Sequence, residues 1–166
     1  YRPLSLVTFA IEYGIFGEKN PGFSHIMNIL LYALSCILLM RCFQLLIFKE
    51  HKLNGWIDIG FITAMLFCVH PLHEAVANIK GRDEIMALLF SITALYFMVK
   101  HFMYGASKNV FYAGLLCYFL GLLSKENTIT FLAVIPVSFY FFNDTTRRSS
   151  IIKSLLWLGL VTFIYL

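Results

Sequence analysis

The apolar positions of this chain form long continuous runs instead of alternating with polar ones. Five such runs, and a sixth that reaches the last residue, are separated by short polar segments. This pattern predicts membrane-spanning α-helices, because a span needs about 20 apolar residues and a membrane β-barrel would show alternation. The runs cover residues 25–48, 56–69, 85–103, 110–123, 129–142 and 151–166.

We therefore expect an all-α fold, a polytopic transmembrane helical bundle with five full spans and a truncated sixth. The second, fourth and fifth runs are short for a span, so we expect them to extend into the polar residues beside them. The connecting loops are also short, which makes consecutive helices antiparallel neighbours.

The N-terminal stretch, residues 1–16, has a different character. Arg2 and Glu12 interrupt its apolar positions, and it is too short and too polar for a span. Pro3 suits the first position of a helix. The stretch therefore predicts an interfacial helix that lies at the membrane surface.

The composition supports the membrane class. Of the 166 residues, 60% are hydrophobic and 13% are charged, whereas soluble domains carry about 25% charged residues. We expect the lipid bilayer as a partner and no nucleic acid. The sequence starts at Tyr1 without Met and stops inside an apolar run. We therefore expect residues 1–166 to be one part of a longer transmembrane domain.

The basic residues are unequally divided between alternate loops. Eight of the 13 Lys and Arg residues belong to the loops and helix ends of one side, and five belong to the other. The positive-inside rule assigns the first side to the cytoplasm. The other side, which carries six of the nine acidic residues, then faces the lumen or periplasm. This predicts a multi-pass protein of the bacterial inner membrane or the endoplasmic reticulum membrane.

One loop of that acidic side concentrates ionisable groups at the mouths of two spans. It reads HPLHE at 70–74 and KGRDE at 80–84. Ionisable groups at such a depth are costly unless they are paired or functional. The alternative is a solvated loop with local ion pairs, such as Lys80 with Glu84. The first segment differs from the H-E-x-x-H and H-x-x-E-H zinc motifs, so no metal ligand is assigned there.

Two further basic residues lie on the same predicted side. Lys125 is the one base in a very short loop, where it could bind a phosphate as a point charge. The alternative for this residue is a Lys125–Glu126 pair that caps the helix ends. Arg2 lies where a lipid phosphate would be. Cations for a phosphate, with a carboxylate to deprotonate a hydroxyl, are what a lipid-linked phosphosugar would need.

Three motifs in this order resemble a known family. They are YRPL at 1–4, HPLHEAVANIKGRDE at 70–84 and LLSKE at 122–126. Together they are similar to the tetratricopeptide-repeat-containing transmembrane O-mannosyltransferase-like proteins of the GT-C glycosyltransferase superfamily.

The resemblance implies a helical membrane core with its active site on the lumenal or periplasmic side. It implies a polyprenyl-phosphate-linked sugar donor, with mannose as the candidate sugar, and inverting transfer to a hydroxyl of a protein or glycan. It also implies an acidic pair upstream, with the catalytic base, and a tetratricopeptide-repeat domain downstream; both are expected outside residues 1–166.

The resemblance also implies site residues. Glu74 and Asp83 are candidates for orienting the acceptor or holding a divalent cation, and no other cofactor is expected. The family commonly has one residue between the second histidine and the glutamate, whereas His73 and Glu74 are adjacent here. The implied catalytic residues are Glu74, Asp83 and His73, and the implied donor-phosphate residues are Arg2, His70, Arg82, Lys125 and Glu126.

Two other classes of function remain open from the sequence. A transporter or flippase should place ionisable residues near the membrane midplane. A non-catalytic scaffold for a fused repeat domain needs no cluster of acids and histidines on one side.

Overall fold

The computed structural model describes residues 2–17, 21–48, 59–69, 78–142 and 147–166. All regular structure within these ranges is helical, so the all-α prediction is confirmed. Two short 3-10 helices cover Ile79–Gly81 and Glu126–Thr130. The described α-helices are α1 (Pro3–Phe16), α2 (Pro21–Phe48), α3 (Ile59–Cys68), α4 (Arg82–Tyr104), α5 (Lys108–Ser124), α6 (Phe131–Phe142) and α7 (Arg147–Tyr165).

The helices follow the predicted apolar runs and extend beyond most of them. The extension is largest at the start of α2 and α7, each of which begins about four residues before its run. The run at 129–142 is divided between the second 3-10 helix and α6. α3 and α7 each end one residue before the end of their runs, and residues 56–58 of the second run lie outside the described part of the chain.

Three of the described helices are long and apolar enough to cross a membrane. They are α2, α4 and α7, the last of which was predicted as the truncated span. The apolar helices α3, α5 and α6 are shorter than 18 residues. The predicted number of spans therefore stays a prediction, while the membrane-bundle class is confirmed.

Burial in α2 is inverted relative to a water-soluble helix. Ser24, Asn28 and Ser35 are buried in the bundle, while Ile29 and Leu30 are more than half exposed. In water the large apolar side chains would be inside. Their exposure suits a lipid environment, where polar side chains instead join helices to one another. The chain is part of a membrane protein.

The central helix of the bundle is α4. In its most apolar part 56% of the residues are buried, against 22% in the corresponding parts of α2 and α7. The apolar core is formed by α4 together with residues of α2, α5, α6 and α7. Its buried members are Cys42, Leu46, Ile92, Ala94, Leu95, Met98, Val99, Phe111, Leu115, Tyr118, Leu122, Ile135, Phe139 and Leu158.

Small residues allow α4 and α5 to approach closely. A Cβ atom on Gly114 would lie 3.2 Å from Phe97 Cβ, and one on Gly121 would lie 2.8 Å from Thr128 Cγ2. The second distance is shorter than real Cβ contacts allow. The absence of a side chain at Gly121 therefore allows the turn after α5 to pack closely against that helix.

The first helix lies at one end of the bundle. Pro3 is its first residue, as the sequence predicts. Arg2, Thr8 and Glu12 form hydrogen bonds or ion pairs with α4 only at its start, at residues 82, 83 and 86. The interfacial position of this helix stays a prediction.

Replacing Gly121 with alanine should destabilise the protein, because the new Cβ meets Thr128. Overpacking of this kind costs about 1–3 kcal/mol. The melting temperature of the detergent-purified full-length protein measures the effect. Adding Thr128→Ala, which removes the opposing methyl group, should restore part of the loss. The control is Gly159→Ala in α7, where nothing lies within 4 Å. An equal loss in both single variants would contradict the contact.

Candidate functional site

Charged side chains from three parts of the chain meet at one end of the bundle. They come from α1, from the first turn of α4, and from the turn between α5 and α6. We divide them by depth. The inner network consists of Glu12, Ser24, Asn28 and Arg82, all buried. The outer cluster, which is partly open to solvent, consists of Arg2, Asp83, Glu84, Lys125 and Glu126.

Arg82 is the centre of the inner network. Its side chain is 2% exposed. Its Nη1 lies 2.6 Å from Glu12 Oε2, its Nε donates to Asn28 Oδ1 at 3.0 Å, and its Nη2 donates to the Ser24 carbonyl at 3.2 Å. The Phe9 ring covers one face of the guanidinium, with 4.0 Å from Cζ to the ring centroid. All three nitrogens of this buried cation are therefore hydrogen-bonded.

The partners of Arg82 make further contacts. The Ser24 hydroxyl donates to Glu12 Oε1, so both oxygens of that carboxylate are bound. Asn28 Nδ2 donates to the Asn78 carbonyl at 3.3 Å, just before the first 3-10 helix. The inner network thus joins α1, α2, α4 and the segment that leads into α4.

The outer cluster contains two ion-paired cations. Arg2 Nη1 binds the Asp83 carboxylate, and Arg2 Nη2 lies 3.6 Å from Glu126 Oε1. Lys125 binds the Glu84 carboxylate. Arg2 has a side-chain exposure of 44%, whereas Lys125 is 12% exposed. These pairs connect α1, the start of α4 and the turn after α5.

Local structure favours most of these positions. Asp83 and Glu84 lie in the first turn of α4, where the positive end of the helix dipole stabilises carboxylates. Lys125 follows the last residue of α5, where the dipole stabilises a cation. Arg82 is unfavourable by the same reasoning, since it is also in the first turn of α4. The Glu12 carboxylate compensates for it.

Glu126 has a perturbed carboxyl group. A hydrogen bond from its own backbone N–H, together with the charges of Arg2 and Lys125, holds its pKa below the usual range. The charged form of Glu126 is therefore favoured in the folded protein.

The structure brings five of the eight predicted site residues to this end of the bundle: Arg2, Arg82, Asp83, Lys125 and Glu126. The other three, His70, His73 and Glu74, lie outside the described residues. Lys125 pairs with Glu84, which differs from both local pairs that the sequence suggested, Lys125 with Glu126 and Lys80 with Glu84.

Sequence reasoning did not select Glu12, Ser24 or Asn28 as site residues. Glu12 did carry a signal, because an ionisable residue inside an apolar stretch demands a partner. Its partner is 70 positions away, and the sequence alone does not indicate that contact.

The described residues contain no group of three or more His, Cys, Asp and Glu side chains placed to hold a metal ion. Asp83, a candidate for holding a divalent cation, binds the Arg2 guanidinium. Glu74, the other candidate, lies outside the described residues, so the divalent-cation site stays a prediction.

Comparison with known proteins gives a consistent set of relatives. Human protein O-mannosyl-transferase TMTC4 is 34% identical over 148 residues, which cover 81% of this chain. Human TMTC1 is 40% identical over 95 residues, 57% of the chain. Protein O-mannosyl-transferase F38B6.6 of Caenorhabditis elegans is 30% identical over 167 aligned positions, 99% of the chain. No family model and no solved structure matches the chain.

The chain belongs to a TMTC-like family. The resemblance found in the three motifs is thereby confirmed. The aligned regions amount to 20%, 10% and 22% of these three TMTC-like relatives. The chain therefore spans about a fifth of their length or less.

Lowering the pH should loosen the outer cluster through Glu126. Because the folded-state pKa is depressed, the stabilisation is present above the unfolded-state pKa and is lost as the pH falls through the folded-state value. We expect a small decrease in the melting temperature as the pH falls below the usual range of glutamate pKa values. The Glu126→Gln variant should not show this decrease. Arg2→Gln should weaken it. The same decrease in the Glu126→Gln protein would assign it to other groups.

Proposed function

We propose that the full-length protein transfers mannose from a polyprenyl-phosphate donor to a hydroxyl group of a protein acceptor. The names of the relatives support the class of reaction, since they are protein O-mannosyl-transferases. The observation that carries the proposal is the outer cluster. Two cations from distant parts of the chain, Arg2 and Lys125, meet there with their charges balanced by carboxylates.

Arg2 and Lys125 are the proposed ligands of the donor phosphate. Arg2 offers a planar guanidinium suited to two-point binding of a phosphate, and Lys125 adds a compact charge. Arg82 was also predicted for this role from the sequence. Its nitrogens are already bound to Glu12, Asn28 and Ser24, so the proposal assigns the phosphate to the two outer cations.

Phosphate binding would proceed by exchange of anions. In the structure Arg2 binds Asp83 and Lys125 binds Glu84. A phosphate on these cations replaces the two carboxylates, and the carboxylates remain nearby. Asp83 is then free to orient the acceptor hydroxyl, together with Glu74 and His73, which lie outside the described residues.

The reaction is a displacement at the anomeric carbon. The acceptor oxygen forms the new bond to that carbon as its proton passes to a carboxylate base, which we expect upstream of residue 1. The bond between the anomeric carbon and the phosphate oxygen breaks, and its electron pair leaves on the phosphate. Arg2 and Lys125 stabilise the charge that develops there. Attack opposite to the leaving group inverts the configuration.

A transporter is less well supported by the charge distribution. In the described ranges, the buried charged side chains are Glu12, Arg82 and Asp83, and all three lie at one end of the bundle. A transport path would place ionisable groups near the middle of the spans.

Removing either outer cation should lower kcat/KM. A charge-assisted hydrogen bond contributes about 1.5–3 kcal/mol, and about 1.4 kcal/mol corresponds to a factor of ten. We therefore expect Arg2→Ala and Lys125→Ala each to lower kcat/KM about ten- to a hundredfold. The assay uses purified full-length protein, a panel of polyprenyl-phosphate sugars, and mass spectrometry of protein acceptors.

The matched control for this assay is Lys108→Ala, which removes a cation from the opposite end of α5. It should transfer mannose at the wild-type rate. Wild-type rates in both Arg2→Ala and Lys125→Ala would overturn the phosphate site, and a folded wild-type protein that consumes no donor would overturn the proposed activity.

The site end should face the lumen or periplasm, as the distribution of basic residues suggests. Lys80→Cys at the site end and Lys108→Cys at the other end replace exposed residues. In sealed vesicles of known orientation, a membrane-impermeant thiol reagent should label the first from the lumenal or periplasmic side and the second from the cytoplasmic side. The reverse labelling would invert the assigned topology.

A further inference from the structure

Helix α1 buries almost nothing apolar against the bundle. Among its described side chains only Ser5 and Glu12 are buried, two turns apart on one face. Leu6, Val7, Ile11 and Ile15 are all at least half exposed. Leu4 and Phe9 are half-buried, and no large apolar side chain among the described residues of α1 is fully buried. The buried contacts of this helix are therefore polar ones.

Two of those polar contacts are ion pairs with consecutive residues of α4. Arg82 binds Glu12, and Asp83 binds Arg2. The two α1 residues are ten positions apart and opposite in charge. Reversing the direction of α1 would place Arg2 beside Arg82 and Glu12 beside Asp83, which are pairs of like charge. The two ion pairs therefore favour one direction of α1 as well as one position.

The two contacts differ in burial. The Arg82–Glu12 contact is buried on both sides, at 2% and 7% exposure, while Arg2 in the other contact is 44% exposed. Breaking a buried ion pair leaves an uncompensated charge and is strongly unfavourable. We therefore expect the Arg82–Glu12 pair to persist, whereas the more exposed Arg2 can exchange the Asp83 carboxylate for another anion.

We infer that Glu12 and Arg82 are positioning residues, which hold α1 across the bundle end so that Arg2 reaches the outer cluster. This inference rests on the proposed function, because it assigns Arg2's phosphate-binding geometry to a contact ten residues away. Asn28 connects this inner network to the segment just before α4. It binds Arg82 on one side and the Asn78 carbonyl on the other.

The test removes the inner contact without leaving a buried charge. In the full-length protein, Glu12→Gln is combined with Arg82→Met, a neutral replacement of the kind that buried ion pairs often tolerate. Nitroxide labels are attached at Leu6→Cys in α1 and Leu116→Cys in α5, both exposed positions. The distance between the labels, measured by pulsed electron paramagnetic resonance, reports the position of α1. The background has its native cysteines replaced by alanine.

We expect the double variant to broaden the distribution of label distances. The control is Glu84→Gln, which neutralises a carboxylate bound to Lys125 and not to α1, and it should leave the distances unchanged. An unchanged distribution in the double variant would overturn the inference.

Kinetics distinguish positioning from general stability. The double variant should lose about tenfold in kcat/KM with polyprenyl-phosphate mannose, and Arg2→Ala added to it should cause little further loss, because Arg2 is already misplaced. Losses that multiply would show that the inner network does not act through Arg2. If the wild-type protein transfers no mannose, the proposed function fails, and the label distances still decide whether Glu12 and Arg82 hold α1.

Discussion

The arrangement of this end of the bundle depends on the burial of Arg82. A guanidinium removed from solvent demands a carboxylate and further acceptors, and it obtains them from α1 and α2. Those two helices must therefore meet at the start of α4. The next residue, Asp83, then comes within reach of Arg2.

Under the proposed function, the outer cluster is an anion site whose cations are neutralised by carboxylates of the protein itself. Two cations left alone at a membrane surface would repel each other and attract lipid headgroups. Here Asp83 and Glu84, held by the first turn of α4, neutralise Arg2 and Lys125 in advance. An incoming phosphate then competes with carboxylates that are already in place. This competition favours ligands that bring both a phosphate and additional contacts.

Much of the fold was predictable because the signal is local. Continuous apolar runs predicted the helices, and Pro3 predicted where α1 begins. The motif residues Arg2, Asp83 and Lys125 were expected on one side and are found at one end of the bundle. The pairing was less predictable. Glu12 with Arg82 and Lys125 with Glu84 join positions 70 and 41 apart. Local spacing suggested nearer partners for Lys125 and Glu84, and none for Glu12 or Arg82. Such contacts depend on how the helices pack.

The length of α5 has a consequence for the surrounding lipid. With 17 residues between described non-helical segments, it rises about 26 Å, which is less than the roughly 30 Å of a typical hydrocarbon core. Its neighbour α4, with 23 residues, rises about 35 Å. Should α5 cross the bilayer as predicted, the bilayer beside it is expected to thin locally. Under the proposed function, this thinning would bring headgroups closer to Lys125, and a lipid-borne phosphate would move a shorter distance out of its leaflet to reach that cation.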